Sequence, residues 1–237
     1  MRREGPVWIS HRGYHKKFPE NSAGAFDLSV EMGFDWLETD LRCSVDGVVV
    51  LSHDSSLERV AGVSHHVENL TWQEICCIEL PEGQRIMSLK EYLERYSNVP
   101  SIFDVKPESA IRVIKALADI EGFDELAPNH RFLFWSRAHE ALFREANPNC
   151  ETLARQGECL SVGIRALMRL PLWGCKSGRT YSLPARFLGK SCFHERFVDA
   201  YRQRNARVLA FLPERHEAEV ALEAGFDEIL TNYEILP

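Results

Sequence analysis

Short apolar runs alternating with stretches of helical periodicity do most to limit what this chain can fold into. Such a run followed by an amphipathic segment reads as a βα unit, and repeated units build a parallel sheet covered by helices. Residues 7–10 form the first run and end at His11. Asn21-Ser22 then offers a helix cap ahead of Ala25, Phe26, Leu28, Val30 and Met32, and Gly33 closes that helix. Further strands are expected at 35–43, 48–52, 100–107, 132–135, 180–184, 207–212 and 228–231. Helices are expected at 88–96, 108–120, 139–146, 194–204 and 214–224. Asp46-Gly47 marks a tight turn that makes 35–43 and 48–52 a hairpin-like pair. Residues 150–170 fit either a strand with a loop or the start of a helix.

Seven or eight strands with helices between most of them suit a closed (β/α)8 TIM barrel, and no glycine-rich dinucleotide fingerprint follows the first strand. The 237 residues match one such domain, 1–237. The rhythm lapses at 55–87, expected to be a small insertion after the second strand region that covers the substrate opening.

A formal net charge of −7 excludes a nucleic-acid partner, which would require a surplus of Lys and Arg to displace counterions. The first residues lack the apolar run of a signal peptide, and no segment is long and apolar enough to span a bilayer, so a cytoplasmic location is expected. Seven scattered cysteines show no metal-knuckle spacing and read as packing thiols. Oligomeric state is not legible.

The polar residues of interest gather at strand ends. Alternation puts Glu38 and Asp40 on one face of their strand, and the same rule turns Asp104 and Lys106 away from Phe103 and Val105. In a barrel, the C-terminal strand ends form one rim, where His11, Glu38, Asp40, His53, Asp104 and Lys106 would all fall. Glu38, Asp40 and Asp104 suit a hard divalent cation, Mg2+ or Ca2+, although Glu-x-Asp alone serves equally as a salt-bridged rim. His11 and His53 can exchange protons near neutrality or simply pack through hydrogen bonds. Arg12 can fork onto a phosphate, with Lys106 as a point charge beside it; Lys106 could equally neutralise Asp104.

His11-Arg12-Gly13, Pro19-Glu20-Asn21-Ser22, Glu38-Thr39-Asp40, Asp46-Gly47, His53-Asp54 and Asp104-Val105-Lys106 resemble, in content and order, the glycerophosphodiester phosphodiesterase family. The resemblance runs along essentially the whole chain and is weakest at 151–177. It implies a TIM barrel and hydrolysis of a small-molecule phosphodiester to glycerol phosphate and an alcohol. It further implies a metal ringed by Glu20, Glu38, Asp40 and Asp104, with His11 and His53 as acid and base. Arg12 and Lys106 would hold the phosphate, with Asn21 and Asp54 in support, and a substrate hydroxyl would attack phosphorus to give a cyclic phosphate that water opens. The family usually has Glu where Asp104 stands, a tryptophan where this chain has Ala210-Phe211 and an Asp where it has Asn232, so Phe211 is expected to reshape the pocket wall. The competing expectations are phospholipase D-like cleavage of lysolipids and a non-catalytic barrel that binds phosphorylated ligands.

Overall fold

The computed structural model describes residues 5–120 and 123–235. Its contacts divide into two compact units, Ser10–Glu151 and Met1–Ile9 with Thr152–Pro237. Strand β1 (Val7–His11) runs through that division.

In the unit Ser10–Glu151, β1 is followed by α1 (Ala23–Glu31), β2 (Trp36–Cys43) and β3 (Val49–Leu51). Then come α2 (Leu89–Tyr96), β4 (Ser101–Val105), α3 (Ala110–Leu117), β5 (Arg131–Phe134) and α4 (Arg137–Ala146). The strands lie in the order β5, β4, β2, β1; β5, β4 and β2 are parallel, while β3 folds back antiparallel onto β2. The expected hairpin is therefore present, with Gly47 at φ +92° in its turn, a conformation that favours glycine.

The chain continues through β6 (Glu151–Thr152), α5 (Gln156–Leu167), β7 (Thr180–Leu183), α6 (Glu195–Arg202), β8 (Arg207–Phe211), α7 (Arg215–Glu223) and β9 (Glu228–Thr231). Within Thr152–Pro237, β7, β8 and β9 form a parallel ladder in the order β9, β8, β7. The ambiguous stretch 150–170 resolves as β6 followed by α5.

Local chemistry explains the helix starts. Ser22 caps α1 by accepting the Ala25 N–H at 3.4 Å, and Gly33 follows its end at φ +80°. Ser88 and Glu91 form a reciprocal capping box on α2, with the Ser88 N–H donating to Glu91 at 2.8 Å.

Residues 55–87 are more than a loop. They hold the short helices Glu58–Ala61 and Trp72–Cys76, and Glu79–Leu80 pairs with Gln84–Arg85. Leu57, Val67, Ile75, Leu80 and Ile86 bury together against Val50 as a satellite cluster.

The main core of the Ser10–Glu151 unit is aromatic. Phe26 meets Tyr92 edge-on at 5.0 Å between ring centroids, and Phe132 lies 4.4 Å from Phe143. Leu37, Leu41, Phe103 and Val105 belong to this core. The intervening strand residues Glu38, Asp40 and Asp104 therefore face the opposite side, where the polar site is built.

Candidate active site

Parallel pairing of β2 with β4 sets Asp40 opposite Asp104 and Glu38 opposite Ile102. Glu38 sits two residues before Asp40 and so shares its face. One carboxylate oxygen from each of Glu38, Asp40 and Asp104 lies within 4.8 Å of the others, and all three side chains are buried. Two neighbouring strands and one register thus bring the three expected acids together.

The site's cations are already engaged. Lys106 Nζ stands 2.7 Å from Asp40 Oδ1 and 2.6 Å from Asp104 Oδ2. Arg12 Nε lies 3.1 Å from Asp40 Oδ2, and its Nη1 donates to Glu20 Oε1 at 3.1 Å. Asn21 Nδ2 donates to Asp40 Oδ2 at 3.0 Å while its Oδ1 accepts the Thr39 hydroxyl, which fixes the amide and so the carboxylate.

Tight backbone geometry delivers Arg12. It takes a left-handed conformation, φ 57°, unusual for a side chain of its size, and its N–H donates to Glu38 O at 3.0 Å. Gly13 follows at φ +76°; a Cβ there would stand 2.8 Å from Ala25, so this turn accepts no side chain.

These charges set the protonation of the carboxyls. Burial pushes Glu38 well above the usual carboxylate range, and the charges of Asp40 and Asp104 push it further. Burial also works against ionisation of Asp40, yet Lys106 and Arg12 outweigh it and hold that carboxyl low. Asp104 is raised, by burial and by Asp40, against the pull of Lys106. Burial disfavours the charge on Lys106, but Asp40 and Asp104 raise it overall, so it stays an ammonium.

The histidines stand in different settings. His11 is buried, with Nε2 3.8 Å from Glu38 Oε2. His53 is about one-third exposed, and its Nδ1 lies 2.7 Å from Asp54 Oδ1. With Nδ1 carrying the proton toward Asp54, Nε2 is left to accept or return one. Arg42 holds the loop by donating from Nε and Nη2 to the His53 carbonyl at 2.9 and 2.8 Å.

Glu20 does not join the three acids. Its carboxylate takes Arg12 and a fork from Arg59, at 2.9 Å to Oε2 and 2.7 Å to Oε1. Burial opposes its ionisation, but the Arg59 hydrogen bond and the Arg12 charge keep it low. Arg59 Nε also reaches Asp54 Oδ2 at 2.6 Å. One guanidinium from the 55–87 segment therefore links the partner of His53 to the partner of Arg12.

Arg59, Arg42 and Trp135 escaped the sequence reading. Trp135 Nε1 donates to Asp104 Oδ1 at 2.7 Å, and its ring lies 5.7 Å from Lys106 Nζ. Its place just beyond β5, at the same strand end as the acids, was the available signal. Phe211 ends β8 in the Thr152–Pro237 unit and is 45% exposed.

The donor set fits a hard divalent cation: three buried carboxylate oxygens within reach of one point, with Glu38 driven toward its protonated form by burial and by the charges of Asp40 and Asp104. Glu38, Asp40 and Asp104 are the residues that could hold it.

Comparison with known proteins places this geometry in context. The family model for the glycerophosphoryl diester phosphodiesterase family matches residues 11–139, more than half of the chain. A Mycobacterium tuberculosis protein named probable glycerophosphodiester phosphodiesterase 2 is 36% identical over 112 residues, covering 47% of this chain and 42% of that protein. The matched stretch spans about two-fifths of the length of such curated relatives. The solved glycerophosphoryl diester phosphodiesterase domain of another M. tuberculosis protein aligns with a TM-score of 0.82 at 17% identity, covering 98% of this chain and 97% of that one. An Oleispira antarctica phosphodiesterase, solved with the product sn-glycerol-3-phosphate, aligns with a TM-score of 0.71 at 18% identity, covering 97% and 94%. These likenesses over nearly the whole chain show the fold to be the expected α/β TIM barrel.

Proposed function

Because the chain belongs to the glycerophosphoryl diester phosphodiesterase family, we propose that it hydrolyses glycerophosphodiesters to glycerol phosphate and an alcohol, using a divalent metal and two histidines. The observation that carries this reading is the buried Glu38, Asp40 and Asp104 set, ion-paired to Arg12 and Lys106 and flanked by His11. The sn-glycerol-3-phosphate bound to the Oleispira phosphodiesterase supports the product class. The alignment of a solved domain with 98% of the chain supports treating 1–237 as one domain, with 55–87 inserted in it.

Mg2+ or Ca2+ held by Glu38, Asp40 and Asp104 would supply Lewis-acid neutralisation of charge on the phosphoryl oxygens. Two of the three Lys106 donors serve Asp40 and Asp104, and the third is there for a phosphoryl oxygen. Arg12 binds the same anion while Glu20 steadies its guanidinium.

The proton work falls to the histidines. One takes the proton of the substrate's glycerol hydroxyl as that oxygen attacks phosphorus, and the other protonates the departing alcohol. Water then opens the cyclic phosphate with the two roles exchanged. Asp54 keeps the His53 Nδ1 proton in place, so that Nε2 does the exchange. Free thiols at all seven cysteines are compatible with a cytoplasmic setting, and among the described residues no helix is long and apolar enough to cross a membrane.

The test is a headgroup screen with glycerophosphodiesters in Mg2+ or Ca2+ and in EDTA, repeated with His11→Ala and His53→Ala. Hydrolysis that needs metal and both histidines is expected. Retained turnover in both variants would sink the assignment.

A further inference from the structure

A stretch of the Thr152–Pro237 unit stands apart in charge and exposure. Residues 155–179 carry five basic side chains, Arg155, Arg165, Arg169, Lys176 and Arg179, against a single acid, Glu158. This surplus sits in a chain whose formal net charge is −7. Arg155, Lys176 and Arg179 all reach Glu158, at 2.9 to 3.2 Å, so the segment's one acid is already engaged by three of its five basic side chains, and Arg165 and Arg169 are the other two.

The same segment exposes apolar side chains. Leu160, Ile164 and Met168 recur every four residues along α5 and its end, so they fall on one flank of the helix. Each is exposed, Met168 most at 65%, and Leu170 and Trp173 extend the run, with Trp173 68% exposed. The turn beyond the helix is folded back onto it. Leu170 N–H donates to Arg165 O at 2.9 Å, and the Arg165 guanidinium carbon lies 5.2 Å from the centre of the Trp173 ring. Aromatic, thioether and aliphatic groups are thus exposed along one helix flank and the turn after it, with the half-buried Arg165 over the Trp173 ring and the exposed Arg169 between Met168 and Leu170 in the chain.

A water-exposed indole beside exposed leucines is costly unless something covers it. A second copy docked face to face would set this basic patch against itself, because a two-fold contact pairs a surface with its own twin. An anionic bilayer satisfies both halves: indole and aliphatic groups enter the headgroup boundary while guanidinium groups meet lipid phosphates.

We propose that the Leu160–Trp173 face docks this protein peripherally on an anionic lipid surface. Trp173, Met168 and Leu170 enter the interface, and Arg165 and Arg169 engage the headgroup phosphates. The inference stands on this surface alone and does not rest on the phosphodiesterase reading.

The experiment is co-sedimentation of the full chain with vesicles of phosphatidylcholine alone and of phosphatidylcholine mixed with phosphatidylserine, across a salt series. Binding to the mixed vesicles at least about tenfold tighter than to the neutral ones, and weakening with salt, is expected. The Arg165→Glu/Arg169→Glu protein should bind at least about thirtyfold more weakly, since each basic side chain near such a surface contributes about fivefold. Trp173→Ala should remove a vesicle-induced blue shift of tryptophan emission. Thermal melts of both variants close to that of the unaltered protein establish that they fold. Equal binding by all three proteins, or none to the mixed vesicles at low salt, would overturn the proposal. So would a concentration-dependent dimer, seen by light scattering without vesicles and lost in Trp173→Ala, which would assign the face to a second copy.

Discussion

Replacing Lys106 by methionine tests how the acidic cluster is held. The ammonium lies 2.6 to 2.7 Å from Asp104 and Asp40 and is only 5% exposed, and the two carboxylates face each other in register across β2 and β4. Methionine keeps the bulk and removes the charge, so two buried carboxylates are left against each other with Glu38 beside them. Removing one partner of a buried ion pair costs about 3–5 kcal/mol. For a chain of this length each kcal/mol shifts the melting temperature by about 2–4 °C, giving a fall of roughly 6–20 °C in EDTA at pH 7.

The pH dependence carries a sign. In the unaltered protein Asp40 is held low by Lys106 and Arg12 against burial, so it adds stability above its ordinary pKa of 3.8 that fades as pH falls through the lowered value. Without Lys106, burial and mutual repulsion raise both aspartates, and protonation at mild acid relieves the strain. The deficit of Lys106→Met should therefore shrink between pH 7 and pH 5. Calorimetric melts of both proteins at the two pH values read this directly. A variant melting within about 1 °C of the unaltered protein at pH 7, or an identical deficit at both values, would refute the reasoning.

Two further outcomes follow from the same unit. Burial drives His130 down to about 4; its ring is 1% exposed, and Nδ1 accepts the Ser101 N–H at 3.1 Å. The unfolded chain takes up this proton near pH 6.5 and the folded one does not until about pH 4, so up to about 3 kcal/mol of stability is lost across that window as pH falls. Denaturant titrations of His130→Asn should show a correspondingly flatter acid limb. Arg59 joins Glu20 to Asp54 from a half-exposed position, so Arg59→Ala should leave the melting temperature nearly unchanged, as exposed ion pairs contribute little, while lowering kcat about tenfold through the loosened His53 and Arg12. Steady-state kinetics beside a thermal melt separate the two effects.

Much of the framework was legible because it rests on local rules. The final strand lies at 228–231 as the apolar run indicated, and Ser22 and Ser88 cap the helices expected to follow them. The pairing of Glu38 with Asp40 on one face follows from the two-residue period of a strand. What brings Asp104 to them is the register of β2 on β4, a tertiary choice that no local pattern encodes. Arg59 was missed because the path of the 55–87 segment, and not periodicity, brings it to the site, whereas Arg42 continues the Glu38–Asp40 face of β2 and Trp135 stands just beyond β5, signals the sequence did carry. Glu20, which the family resemblance sets among the acids, has its carboxylate taken by Arg12 and Arg59 and lies outside the Glu38, Asp40 and Asp104 set. Helix α5 was obscured because Gly157 and Gly163 dilute its pattern and its Leu160–Ile164 flank faces out instead of into the core.

The most direct measurement joins metal binding to turnover. EDTA-stripped protein is titrated with Mg2+ or Ca2+ by calorimetry while hydrolysis of a glycerophosphodiester is followed at the same metal concentrations. The proposed site predicts that activity rises along the binding isotherm and that Glu38→Gln/Asp104→Asn loses both together. Full turnover in the stripped protein, or unaltered metal binding by that double variant, would contradict it.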